Sequence, residues 1–171
     1  MSTTKVSYGT SQVITVTDLQ SLANSITAAW QSGRISNLTS LALDYEISIK
    51  LPTANTAPAN DKAVYVYISE GYTTDAGTTW NMDDVGTATV PSGTQGTITV
   101  LSNVSGAMSA KLLGVIPYNT QNMTMQKIFK LSNISGQFMP DGFSIILVNF
   151  TGAALSTGCT VSVTPLLVTS A

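Results

Sequence analysis

The chain has 171 residues, seven basic and nine acidic side chains, one cysteine and no histidine. That length suits a single domain with a real hydrophobic core, and a net charge of −2 excludes the basic stripe that nucleic-acid binding requires. Only 9% of residues are charged, against roughly 25% in ordinary soluble domains, so hydroxyls and amides must form a surface with little to repel its copies or neighbours.

Residues 1–12, MSTTKVSYGTSQ, show no periodicity and read as a flexible or docking arm ahead of one domain over 13–171. They lack the apolar core of a secretory signal. The longest apolar stretches, such as FSIILV, are far short of a membrane span, so no membrane partner is expected. VITVT at 13–17 alternates and is β-branched, hence a short strand. In 18–31, Leu19, Leu22, Ala23, Ile26, Ala29 and Trp30 recur at three- and four-residue spacing. That predicts a three-turn helix capped by Thr17 or Asp18 and ended by Gly33. Its Ser, Thr and Asn content leaves an irregular loop as the alternative.

The period then changes to two. Leu41, Leu43, Tyr45, Ile47, Ile49 and Leu51 alternate with Ala42, Asp44, Glu46, Ser48 and Lys50, which predicts a long strand with one buried and one wet face. A Pro- and Asn-rich loop at 53–61 leads to a strand at 62–70 and a long Gly-punctuated excursion around Trp80. GTITVLSNV (96–104), AKLLGVIPYN (110–119), MQKIFKLSNI (125–134), GFSIILVNF (142–150) and CTVSVTPLLV (159–168) supply further strands. Short strands separated by turn signals, without alternating helices, predict an all-β antiparallel sandwich of jelly-roll type. LSNVSG at 101–106 returns as LSNISG at 131–136, but two copies with unlike flanks are strand ends entering turns rather than a repeat array.

Asp44 and Glu46 are the one pair that invites a catalytic reading. Residues i and i+2 of a strand lie about 6.5–7 Å apart, within reach of the roughly 6.5–9.5 Å carboxylate spacing of inverting glycosidases. An acid–base pair also needs one carboxyl with a raised pKa, and the row shared with Ser48 and Lys50 offers nothing to desolvate either. A polar strand face is the expectation. The absence of histidine removes the usual general base and the common triads, and with a single Cys a zinc site is excluded. No Walker or Rossmann glycine loop is present. Asp75, Asn81, Asp83 and Asp84 cluster in one loop but lack EF-hand spacing, so solvated loop acids are expected rather than bound calcium. Trp30, Trp80, Tyr72 and Tyr118 could stack on a sugar, though loop aromatics more often anchor a sheet or a neighbouring subunit. Cys159 has no cationic neighbour in sequence and reads as a buried thiol. The five Asn-X-Ser/Thr sequons, at Asn37, Asn103, Asn122, Asn133 and Asn149, read as coincidence in so Asn-, Ser- and Thr-rich a chain.

Four stretches in order, WQSGRISNLTSLALDYEISIKL (30–51), NDKAVYVYISEG (60–71), AKLLGVIPY (110–118) and GQFMPDGFSIILVNFTGAAL (136–155), resemble small virion structural proteins of tailed bacteriophages. The resemblance rests on Arg34 and Asn37 before the long strand, and on Gly136, Pro140, Phe143, Asn149 and Gly152 around the later one. It implies a non-enzymatic β-sandwich displayed on a capsid, neck or tail, and supplies no catalytic residue, cofactor or metal. The expected partners are the major capsid protein or other virion proteins, and further copies of the chain, three around a lattice axis being the natural arrangement. A virion assembled in the reducing host cytoplasm accords with the lack of disulfides. Trp30, Arg34, Tyr72 and Trp80 are the expected interface residues, with Arg34, the only arginine, clamping a carboxylate. The alternative is a lectin-like binding module, or an adaptor of the neck, tail or fibre.

Overall fold

A computed structural model describes residues 4–25, 27–52, 59, 61–83, 93–99, 109–119, 124–136 and 138–170. In chain order the strands are β1 (Thr4–Tyr8), β2 (Gln12–Ile14), β3 (Ala28–Gln31), β4 (Ile35–Ser36), β5 (Asp44–Leu51) and β6 (Ala63–Tyr72). They continue with β7 (Asn81–Met82), β8 (Gly96–Thr99), β9 (Lys111–Pro117), β10 (Met125–Lys130), β11 (Gly142–Phe150) and β12 (Thr160–Ser170). A single helical turn, α1 (Ser132–Ser135), precedes β11. The first sheet runs β1-β12-β5-β10 with β2 also on β12; the second runs β7-β6-β11-β3-β8, with β4 on β11 and β9 on β6. The fold is therefore an all-β sandwich of two antiparallel sheets.

Sequence periodicity reports which faces are covered. On β5, Tyr45, Ile47, Ile49 and Leu51 point into the main core, where they meet Val64, Val66 and Ile68 of β6 and Phe143, Ile145 and Leu147 of β11. The ring of Tyr45 packs edge-on against Phe143, centroids 5.1 Å apart. β11 is buried on both faces: Ile146 and Val148 turn away from the main core and join Ala29, Tyr67, Ile98 and Ala110 in a second apolar cluster. That is why its sequence is a continuous apolar run rather than an alternation.

Four expectations are corrected. The stretch read as an arm, 1–12, holds β1 and the first residue of β2. Thr4 to Tyr8 pair with Ser170 to Leu166, and Gln12 to Ile14 with Val163 to Val161, one residue out of step. The step comes from one extra residue in 9–11, opposite Thr164 and Pro165; Pro165 has no N–H for the ladder but its carbonyl accepts from the Gly9 amide at 2.8 Å. A Cβ on Gly9 would lie 2.8 Å from the Leu167 side chain. The predicted helix over 18–31 is a 3-10 turn at Thr17–Leu19 followed later by β3. Ser25 Oγ accepts from the amides of Thr27 and Ala28, and Asn24 accepts from Gly152, so the small polar residues divert the backbone from helix. The long strand begins at Asp44, not 41: Leu41 has φ 45° and closes a turn built on Asn37. The Asn37 side chain accepts from the Ala42 amide (2.7 Å), Ser40 (2.9 Å) and the Tyr45 hydroxyl (3.0 Å). The second half of 125–134 likewise leaves the strand and becomes α1. The loop at 53–58, the run 100–104 and the first LSNVSG copy lie outside the described residues.

Candidate functional site: the loop end and the outer face of the first sheet

Asp44 and Glu46 do not behave alike. Asp44 is only 9% exposed. Its carboxylate accepts from its neighbour's amide at Tyr45 (2.7 Å), from the Ser132 amide (2.9 Å) and from the Ser132 hydroxyl (2.7 Å). It is a buried tie between β5 and α1, so the expected wet face is corrected at this position. Glu46 is half-buried on the outer face of the sheet, across the ladder from Lys130 and Thr164.

The aromatic residues separate in the same way. Trp30 is fully buried in the main core, and its indole N–H donates to Gln95 Oε1 at 3.1 Å. Tyr118 is fully buried as well, so the four rings form no common platform. Trp30 is thereby corrected from interface residue to core residue. Arg34 takes no carboxylate among the described residues. Its guanidinium lies over the Trp80 ring, 4.5 Å from the centroid, a cation–π contact. Trp80 is fixed from the other side: its indole N–H donates to the Gly77 carbonyl at 2.8 Å, and its ring occupies the space a Cβ on Gly142 would need. Trp80 and Arg34 thus clamp the long loop onto the start of β11, and of the four rings only Tyr72 stays freely exposed.

Beside Tyr72 opens a groove of about 390 Å³, lined by Glu70, Asn81, Asp83, Lys111 and others. Glu70 and Lys111 form an ion pair across it. Burial pushes the Asp83 carboxyl above its usual range; the Glu70 amide opposes this, the Glu70 charge adds to it, and Lys111 offsets it. Asp75 belongs to a separate turn, where it accepts from the Thr79 amide (2.7 Å) and the Thr73 hydroxyl (2.8 Å). Those bonds lower its pKa to about 2. Asp84 lies outside the described residues, and among the described ones no three Cys, Asp or Glu side chains converge to hold a metal ion.

Buried polar residues hold the loops that carry these groups. Asn149 is fully buried: its amide donates to the carbonyls of Leu22 and Ala153, and its oxygen accepts from the amide and hydroxyl of Thr151. Asn37 and Asn149 are therefore structural, and neither sequon is accessible in the fold. Asn103 and Asn122 lie outside the described residues. Cys159 is buried, donates to the Ser156 carbonyl, and has its pKa raised to about 11 by burial.

Two surfaces among the described residues gather exposed side chains. At one end of the sandwich, hydrogen bonds join the turn of Asn37 to Asp141, and Leu43 to Leu166, whose ladder partner is Tyr8. Leu41 (74%), Leu43 (52%), Phe138 (84%), Tyr72 (59%) and Tyr8 (56%) are exposed there, an apolar rim on loops and strand ends. The second surface is the outer face of the first sheet. The registers set its side chains in rows: Val13, Ser162, Ser48 and Ile128 across the middle; Thr164, Glu46 and Lys130 on one side; Thr160, Lys50 and Gln126 on the other. Val13 and Ile128 are well exposed, and the hydroxyls between them are small. The sequence disclosed the polar row Glu46, Ser48 and Lys50 and pointed to Tyr72; the neighbours that complete both surfaces emerge only once the registers and the Asn37 turn are known. No protein-family model and no curated protein sequence matches the chain.

Proposed function

We propose that this chain is a non-enzymatic structural protein of a tailed-bacteriophage virion, a decoration protein that docks on the capsid lattice through its apolar loop end. The observation that carries this reading is the rim of Leu41, Leu43, Phe138, Tyr72 and Tyr8 on an otherwise weakly charged sandwich. Large exposed apolar side chains gathered at one end mark a protein-binding surface. The ordered resemblance of 30–155 to such virion proteins supports the same reading. So do the commitments of the polar residues: Asp44, Asn37 and Asn149 are spent on the fold, which leaves no proton-transfer pair built around them.

The jelly-roll form belongs to this proposal. With the split edges β1/β2 and β3/β4 taken together, the chain crosses between sheets at each step to β6, and again at β10, β11 and β12. That winding is the one expected of two nested Greek keys.

The test is a quantitative mass analysis of purified virions. Copies comparable to the major capsid protein place the chain on the shell; a small fixed number moves it to the neck, tail or fibre; absence refutes the virion reading. The lectin-like alternative draws on Tyr72 beside the polar groove, and predicts sugar-dependent thermal stabilisation that is lost in Tyr72→Ala.

A further inference from the structure

We propose that the outer face of the first sheet pairs with the same face of a second copy, about a two-fold axis running along the row Val13–Ser162–Ser48–Ile128. The charges select this axis. Rotation about that row carries the row Thr164–Glu46–Lys130 onto the row Thr160–Lys50–Gln126 of the second copy. Glu46 then meets the second copy's Lys50, Lys130 meets Gln126, and Thr164 meets Thr160, with each contact made twice. Rotation about the β5 direction instead would set Glu46 on Glu46 and Lys50 on Lys50. An isologous contact must be self-complementary, and only the first axis makes it so.

The steric pattern agrees. Residues on the axis face their own copies, and there the face presents Ser48 and Ser162, small enough for sheets to approach, between Val13 and Ile128, which are 76% and 55% exposed. Four strands at about 4.8 Å spacing and some seven residues of about 3.3 Å give a face of about 19 by 23 Å. With side-chain relief, two such faces bury on the order of 1,200 Å² together, the lower end of specific interfaces. The second sheet has no equivalent face, since its outward residues Tyr67, Ile146 and Val148 are already buried.

Sedimentation equilibrium on the full chain should give twice 17.9 kDa at micromolar concentrations. Glu46→Lys sets lysine against lysine across the axis and should weaken the dimer at least about tenfold, while the E46K/K50E exchange restores it. Ser48→Cys lies on the axis and should be captured as a dimer by a bismaleimide matched to the ~10 Å spacing of packed sheets. Thr164→Cys, off the axis, should not be, and the buried Cys159 supplies no competing thiol. A monomer at about 100 µM, a trimer, a Glu46→Lys dimer as tight as the parent, or equal capture of both cysteines would each overturn the two-fold. Absence of the chain from virions would leave this dimer standing, and a monomer in solution would leave virion docking standing.

Discussion

Replacing Asp44 by alanine separates a buried tie from a wet strand face. In the fold the carboxylate accepts three hydrogen bonds, from the Tyr45 amide and from the amide and hydroxyl of Ser132. Bonds to a charged acceptor contribute about 1.5–3 kcal/mol each in isolation, but donors left behind regain part of this from water. Asp44 sits at the edge of burial, at 9% exposed, so water reaches some of them. The expected loss is about 2–3 kcal/mol, or roughly 4–12 °C in Tm for a domain of this size. Asp44→Asn keeps one acceptor oxygen and should lose about half as much. Urea unfolding followed by tryptophan fluorescence, with unchanged m, gives the comparison directly. A change in Asp44→Ala within about 0.5 kcal/mol, the range of ordinary surface substitutions, would refute the tie.

Gly142→Ala drives a methyl to 2.6 Å from the Trp80 ring and 3.0 Å from the Ile35 carbonyl. It should cost about 1–3 kcal/mol and alter the near-UV dichroism of Trp80, whereas an unchanged spectrum would mean that the ring is not seated there. The Cys159 thiol, pushed to about 11, should resist aromatic disulfide reagents at pH 8 until the protein is unfolded. Because its folded pKa is raised, its contribution is whole below the unfolded value and declines as pH rises toward 11, so Cys159→Ser should flatten stability over that interval. Asp75 has the opposite sign. Its folded pKa is depressed to about 2, so its stabilising bonds are present above the ordinary 3.8 and are lost as pH falls from there toward 2. Asp75→Asn should remove that acid-induced loss in thermal melts, and an unchanged acid profile would count against the turn.

What the sequence disclosed depended on how local the cause was. The alternation of Tyr45, Ile47, Ile49 and Leu51 is a property of one strand and was readable as such. Leu41 and Leu43 extended it by coincidence, since the Asn37 turn that interrupts it depends on side-chain bonds no period reveals. The spacing of Leu19, Leu22, Ala29 and Trp30 fits a helix, yet Ala29 and Trp30 enter different apolar clusters, as adjacent residues of a strand do. TKVSY carried no apolar signal because β1 is an edge whose side chains stay exposed. The tie from Asp44 spans 88 residues, and Arg34 meets Trp80 only through the fold.

The two sheets differ in a way that bears on where recognition occurs. In the second, β6 and β11 are buried on both faces, so that layer is interior to the protein and its outward Tyr67, Ile146 and Val148 are closed to a partner. The first sheet buries one face only. Its other face carries hydroxyls, the exposed aliphatic side chains of Val13 and Ile128 in the Ser48 row and of Val6 and Val168 farther along β1 and β12, and a charge arrangement that opposes itself under one two-fold axis and not under the other. Lys50 and Lys130 also lie on this face, and lysine on open sheet surfaces commonly guards against indiscriminate pairing. Here Glu46 stands between them in the register, which turns a general deterrent into a rule for register: approach about the Ser48 row pairs opposite charges, and approach along β5 stacks like ones. The loop end exposes Leu41, Leu43 and Phe138, with the Glu70–Lys111 pair and Asp83 set beside Tyr72. The proposed contact between like copies and the proposed docking on a lattice therefore use different surfaces of the same sandwich.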